Sequence, residues 1–190
     1  EDIERMAKEE KLCPQFHLAL QSGCDATLRR MNRHYTTDEY RLFVRQFRER
    51  FADAAITTDI MVGFPGETEE EFCASLSFAR EIGFARMHVF NYSRRTGTMA
   101  AILPDQVPGP IREERSHRMA EVARENERAF LERQVGKELS VLFEARGEDG
   151  LQIGYARNYL PVGVHTDRDL TGRIETVYVE RIEGGLCLGR

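Results

Sequence analysis

The stretch DIMVGFPGETEEEF, Asp59 to Phe72, decides the fold. A β-branched apolar run enters a Gly-Phe-Pro-Gly turn and leaves it as an acidic helix start. Gly63 and Gly66 carry no Cβ, so a ligand can approach the backbone closely. The helix that follows offers unpaired N–H groups at its first turn. Strand–turn–helix junctions of this kind are where α/β proteins place small polar ligands. Glu67, Glu69, Glu70 and Glu71 suit a ribose hydroxyl or an amine. A phosphate loop would want a lysine and no acid run.

Working outward, His17–Leu20 predicts a short strand that ends in Gln21-Ser22-Gly23. Asp25–Met31 predicts a short helix. Thr36 with Glu39 fits a capping box. It opens a helix with Tyr40, Phe43, Val44, Phe47 and Phe51 along one stripe, read as core. Ala54–Val62 is a second strand. Thr68 with Glu71 caps a helix to about Ile82, and Gly83 suits its end. Arg86–Phe90 is a third strand, followed by NYSRRTG. Alternating strands and helices with continuous apolar strands predict a parallel sheet covered by helices. The fold class is therefore α/β. The endings QSG, GFPGE and NYSRRTG fall on one edge of the sheet. Three units are too few to close a barrel, so the sheet reads as the second half of a parallel (βα) partial barrel.

Leu103–Pro110 is a Pro-rich connector. Ile111–Gln134 is a charged helix whose interleaved acids and bases read as a solvated face. Beyond Gly136, short strands are expected at Glu138–Ala145, Leu151–Ala156, Leu160–His165, Ile174–Glu180 and Leu186–Leu188. Turns fall at Asp149-Gly150, Asp167–Gly172 and Gly184-Gly185. This pattern predicts a small antiparallel β-barrel of the oligonucleotide-binding kind. The domains expected are 1–135 and 136–190.

The 190 residues carry a net charge of -5, which argues against a broadly basic nucleic-acid platform. No apolar run reaches membrane-spanning length, and no signal peptide opens the chain. The start EDIERMAKEEK reads as the end of a helix from something longer. Cys13, Cys24, Cys73 and Cys187 are dispersed, which fits neither a zinc ribbon nor a disulfide scaffold. They read as reduced thiols of a cytoplasmic protein, with Cys24 a buried small residue. The histidines show no metal spacing, and His17 and His88 read as structural.

Three segments, HLALQSGCDATLRRMNRHYT, TTDIMVGFPGETEEEF and HVFNYSRRTGTMAA, together resemble the radical S-adenosylmethionine methylthiotransferases. The terminal β segment resembles the TRAM domain that follows their catalytic domain. QSGCD with MNRHYT is most similar to the branch acting on threonylcarbamoyl-adenosine in tRNA. The isopentenyl-adenosine branch usually has serine in place of Cys24, and the ribosomal-protein branch typically departs from QSG.

The resemblance implies S-adenosylmethionine and, in the full-length enzyme, two [4Fe–4S] clusters held by cysteines. A cluster splits the cofactor reductively, the resulting radical takes a hydrogen from the adenosine, and sulfur and methyl are installed. The family's CxxxCxxC loop and its three further N-terminal cysteines are not in this sequence. The chain is thus expected to be the C-terminal half of such an enzyme, inactive alone. Its expected partners are the missing N-terminal half and the anticodon stem-loop of tRNA, with no membrane.

Carried over from the family, Gln21 and Ser22 would line the cofactor pocket. Arg33 would pair with the methionyl carboxylate, or form a surface ion pair. Asp59 would make a polar contact inside the pocket, or pair with a nearby arginine, since an acid in an apolar strand needs a partner. Gly63 would lie beside the adenine, although a turn needs glycine regardless. Phe90 would pack near the adenosine, or be plain core. Arg94 and Arg95 would meet tRNA phosphates, or be a solvated pair.

In the β segment, Arg157, Asn158, Tyr159 and Arg173 are the RNA-contact candidates. That segment holds seven basic and nine acidic residues from Lys137 to Arg190, so RNA binding there rests on the resemblance. Competing readings are a non-catalytic RNA-binding module, a methylthiotransferase acting on a ribosomal protein, and a metal-dependent hydrolase using Asp59 and His88.

Overall fold

A computed structural model describes residues 2–147 and 150–190. Asp149 of the expected Asp149-Gly150 turn lies outside them. The described elements are α1 (Asp2–Met6), β1 (Gln15–His17), α2 (Asp25–Arg30), α3 (Thr37–Arg50), β2 (Ala55–Val62), α4 (Glu69–Ile82) and β3 (Arg86–Asn91). After a 3-10 turn at Met99–Ile102 come α5 (Gly109–Glu132), β4 (Glu138–Arg146), β5 (Leu151–Ala156), β6 (Pro161–His165), β7 (Ile174–Glu183) and β8 (Leu186–Gly189). They form two compact units. One comprises His17–Glu49 and Ile56–Glu127. The other comprises the residues up to Phe16, Arg50–Ala55 and Arg128–Arg190.

A parallel sheet has the order β1-β2-β3, with Asp59 opposite His88 and Met61 opposite Phe90. Strand β1 is displaced from the expected His17–Leu20. The Thr58 hydroxyl inserts into the ladder: it accepts from Leu20 N at 2.9 Å and donates to the Leu18 carbonyl at 2.6 Å. Pairing resumes at Gln21, whose N–H donates to the Asp59 carbonyl at 2.9 Å.

Helices cover one face of this sheet only, in contrast to the expectation. Along β2, Ile56, Thr58, Ile60 and Val62 are buried, whereas Thr57, Asp59 and Met61 are half-buried. On β3, Met87 is buried while Arg86 and His88 are exposed. The strands therefore alternate, and their second face is polar enough to stay uncovered.

Both capping boxes form. Thr36 pairs reciprocally with Glu39, and Thr68 with Glu71. Each contributes about 1 kcal/mol to its helix. Gly83 closes α4 in the left-handed region at φ 62°. Tyr40 packs edge-on against Phe78 and Phe84 beneath the sheet. Phe43 is exposed, so not every aromatic of the expected stripe is core.

The second unit contains a closed barrel in the order β4-β5-β6-β8-β7. Four neighbouring pairs are antiparallel, but β6 and β8 run parallel, which corrects the expected all-antiparallel barrel. The reason is parity. Strands alternating in direction cannot close a ring of five without one parallel pair. Val141, Phe143, Val162, Val179 and Cys187 fill the interior.

Gly154 on β5 sits where a Cβ would come within 2.3 Å of the Leu142 carbonyl oxygen. Gly172, at φ 75°, has open space around it. Gly154→Ala should therefore cost about 1–3 kcal/mol through the backbone clash. Gly172→Ala should cost only about 1 kcal/mol from its left-handed conformation. Urea unfolding of both variants checks this. Equal midpoints would contradict the close approach of β4 and β5.

Candidate functional site

The carboxyl edge of the sheet is built around the turn after β2, and that turn is held from inside. The Gly63 N–H donates to Glu67 Oε2 at 2.7 Å. Glu67 is buried and pairs with buried Arg115 at 2.9 Å. Arg115 also donates to the Glu67 carbonyl at 3.0 Å and reaches Glu69 at 3.3 Å. Arg118 pairs with Glu69 at 2.7 Å, and Arg30 pairs with Glu71. The acid run expected to meet a ribose or an amine is thus largely taken up by arginines; Glu70 remains exposed.

The glycines are covered as well. A Cβ on Gly63 would meet Arg112 Cγ at 2.3 Å, and one on Gly66 would meet Arg30 Nε at 3.2 Å. They make room for arginine side chains where open approach by a ligand was expected. Arg112, Arg115 and Arg118 recur every three residues along α5. That spacing, opposite a glutamate run, was the signal that the charged helix is more than a solvated face.

Burial pushes the Glu67 carboxyl up, opposed by the Gly63 N–H and Arg115. Burial also pushes Glu71 up, but its bonds from Arg30 and the Thr68 N–H outweigh that and leave it below the ordinary carboxylate value. Arg118 holds Glu69 low.

On the uncovered face the site is polar. The Asp59 carboxylate lies between two imidazoles, 3.4 Å from His17 Nε2 and 3.5 Å from His88 Nδ1. Its partners are histidines, not an arginine. The Phe90 ring lies 5.7 Å from the His88 ring on the same face. Beside His17 opens a cavity of about 520 Å³, lined also by Ala19, His34, Tyr35, Tyr40 and Phe43. Its size falls within the range of small-molecule sites. His17 and His88, read as structural from sequence, are exposed members of this row. Residue parity along β3 would have placed His88 on the face opposite buried Met87.

Other predicted residues gather at the same edge. Gln21 is buried at φ 67° and bridges to Ile60. Ser22 is buried, and its hydroxyl oxygen accepts from Cys24 N at 3.3 Å. Cys24 itself is only half-buried. Arg33 is exposed just after α2, near enough to Tyr35 to oppose the rise that burial causes in that phenol's pKa. Tyr35 in turn donates to the Leu20 carbonyl at 2.9 Å. Arg94 is anchored to the Ala101 carbonyl at 2.8 Å, and Arg95 is exposed.

Among the barrel candidates, Tyr159 and Arg173 are exposed. Arg157 is exposed but binds the carbonyls of Glu10 and Leu12. Asn158, in contrast, is buried, with its amide on the Asp53 carbonyl at 3.1 Å.

Glu67→Ala would strand buried Arg115 and should cost about 3–5 kcal/mol in thermal unfolding, while Glu70→Ala should change stability by under about 0.5 kcal/mol. Because Glu71 is held low in the fold, its stabilising contribution is complete above the ordinary carboxylate value of about 4.5 and is lost as pH falls below it. Glu71→Gln should flatten the acid limb of stability against pH. An unchanged limb would show that the Arg30 pair contributes nothing.

The Radical SAM superfamily matches residues 1–79. A tRNA-2-methylthio-N(6)-dimethylallyladenosine synthase of Symbiobacterium thermophilum is 42% identical over 181 residues, covering 94% of this chain and 38% of the relative. The threonylcarbamoyladenosine tRNA methylthiotransferase MtaB of Bacillus subtilis is 33% identical over 183 residues, covering 94% and 41%. The ribosomal protein uS12 methylthiotransferase RimO of Heliobacterium modesticaldum is 43% identical over 159 residues, covering 84% and 35%. The chain spans about two fifths of the length of the curated relatives it matches. No helix among the described residues is long and apolar enough to cross a membrane.

Proposed function

The chain belongs to the radical S-adenosylmethionine methylthiotransferase family, and we propose that it supplies one wall of the cofactor and substrate site together with an RNA-binding barrel of the TRAM type. On this reading the whole enzyme adds a methylthio group to a threonylcarbamoyl- or isopentenyl-adenosine of tRNA, near the anticodon. The observation that carries the reading is the row His17–Asp59–His88 across the uncovered face of the sheet. A carboxylate placed there without a packing role is a residue waiting for a polar ligand. The three parallel units then form the second half of a partial (βα) barrel, with the polar face inward.

S-adenosylmethionine, when bound, supplies the radical that removes the target hydrogen, and the methyl group. The donors at the carboxyl edge fit it. Asp59 accepts from an ammonium or a ribose hydroxyl, and its two imidazoles hold the carboxylate in place. Gln21 and Ser22 offer an amide and a hydroxyl on the first strand end. Arg33 matches a carboxylate in two-point contact. Phe90 gives a purine a flat apolar neighbour. The exposed barrel side chains Arg157, Tyr159 and Arg173, with Arg95 at the sheet edge, supply the RNA contacts.

The chain's sulfur donors do not fit an iron–sulfur cluster. Among the described residues no three His, Cys, Asp or Glu side chains are grouped to hold a metal ion. Burial pushes the Cys187 thiol up to about 11, away from the thiolate that a cluster needs. On this reading the cluster ligands lie in the rest of the enzyme, and this chain alone is expected to be inactive.

Joined to the cluster-bearing region of a relative and loaded with iron, sulfide and S-adenosylmethionine, the protein should methylthiolate adenosine in a suitably modified tRNA, read by mass spectrometry of the nucleosides. Methylthiolation of ribosomal protein uS12 with none on tRNA would move the assignment to the protein branch. RNA binding without product from the loaded enzyme would favour a non-catalytic module.

A further inference from the structure

Many arginines of the α/β unit are neutralised. Arg30, Arg41, Arg80, Arg115 and Arg118 each lie within ion-pair distance of a carboxylate. Arg94 and Arg112 have no such partner among the described residues, and they line the same cavity. That space, about 300 Å³, lies just beyond the carboxyl end of β3, bordered by Asn91, Tyr92, Ser93 and the first turn of α5.

Each guanidinium is fixed by one bond to the main chain. Arg94 Nε donates to the Ala101 carbonyl at 2.8 Å, and Arg112 Nη1 donates to the Tyr92 carbonyl at 2.7 Å. Glu113 also borders the cavity but pairs with neither arginine. The other N–H groups of the two forks stay available for an acceptor. Tyr92 lines the same cavity, is only 6% exposed, and its hydroxyl has no hydrogen-bond partner among the described residues. Two guanidinium groups oriented by the main chain and unneutralised, in a chain of net charge -5, form what an oxyanion requires.

We propose that this cavity is an oxyanion subsite that takes one phosphodiester group of the RNA substrate. The inference rests on the RNA reading given above and adds to it a place where the backbone is gripped. The subsite touches no reacting atom. Arg94 and Arg112 are positioning residues that fix the RNA's register at the sheet edge, and exposed Arg95 extends the positive surface next to them. A free phosphate would satisfy the same chemistry, so the test separates the two sources.

The chain is titrated with an anticodon stem-loop oligonucleotide between about 50 and 200 mM salt, the range over which phosphate contacts dominate the salt dependence. The log–log slope for Arg94→Gln and for Arg112→Gln should be shallower than wild type by about 0.7–0.9, the value of one phosphate contact. Arg112→Lys should keep most of the wild-type slope. Because Arg112 also packs over Gly63, circular dichroism of each variant accompanies the titration, and Arg94→Gln decides if Arg112→Gln misfolds. Equal slopes in wild type and folded Gln variants would overturn the subsite and leave the RNA reading standing. No binding by wild type at the lowest salt would overturn both. If inorganic phosphate raises the melting temperature of wild type but not of Arg94→Gln, and RNA does not bind, the cavity belongs to a small phosphate and the RNA assignment falls.

Discussion

The Glu67 carboxylate is the constraint on which the carboxyl edge of the sheet depends. It accepts from the Gly63 N–H at the end of β2 and from Arg115 on α5, one turn before α4 begins. The end of β2, the approach to α4 and the distant helix α5 thus converge on one buried anion. A buried ion pair is seldom more stable than an apolar substitute of the same shape. Its value here is geometric: it fixes where the turn lies and leaves Gly63 no room for a side chain beside Arg112. The conformational freedom of the glycines is spent on arginine packing, which closes the turn to a ligand.

Charge in this unit is therefore divided between two tasks. Glu67, Glu69 and Glu71 are matched with Arg115, Arg118 and Arg30 and knit helices to the turn. Asp59 is matched only with imidazoles, on the uncovered face. Among the described residues, Arg94 and Arg112 are matched with carbonyl oxygens alone. The first set explains architecture. The other two retain capacity for a ligand, one as an acceptor of hydrogen bonds and one as a source of them.

Much of the fold was legible in sequence because its signals are local. The two capping boxes are spaced three residues apart, and the barrel strands are separated by Gly- and Asp-rich turns, so short windows suffice. Asp59 was legible as an acid in an apolar strand. What sequence left out is non-local. The one-sided covering of the sheet depends on which strand parity meets helices. The parallel β6–β8 pair follows only once five strands are known to close a ring. The histidines flanking Asp59 arrive from β1 and β3, and only the register joins them. Asn158, polar and placed in a turn, looked like a contact residue until its burial against Asp53 was seen.

The central claim is that Asp59 serves a ligand and not the fold. Equilibrium binding of S-adenosylmethionine to the assembled, cluster-loaded enzyme tests it most directly, with Asp59→Asn compared against wild type at matched melting temperature. Loss of a charge-assisted hydrogen bond predicts affinity about tenfold weaker or more, in a protein that unfolds no earlier. Equal affinity, or a variant that merely melts sooner, would contradict the account.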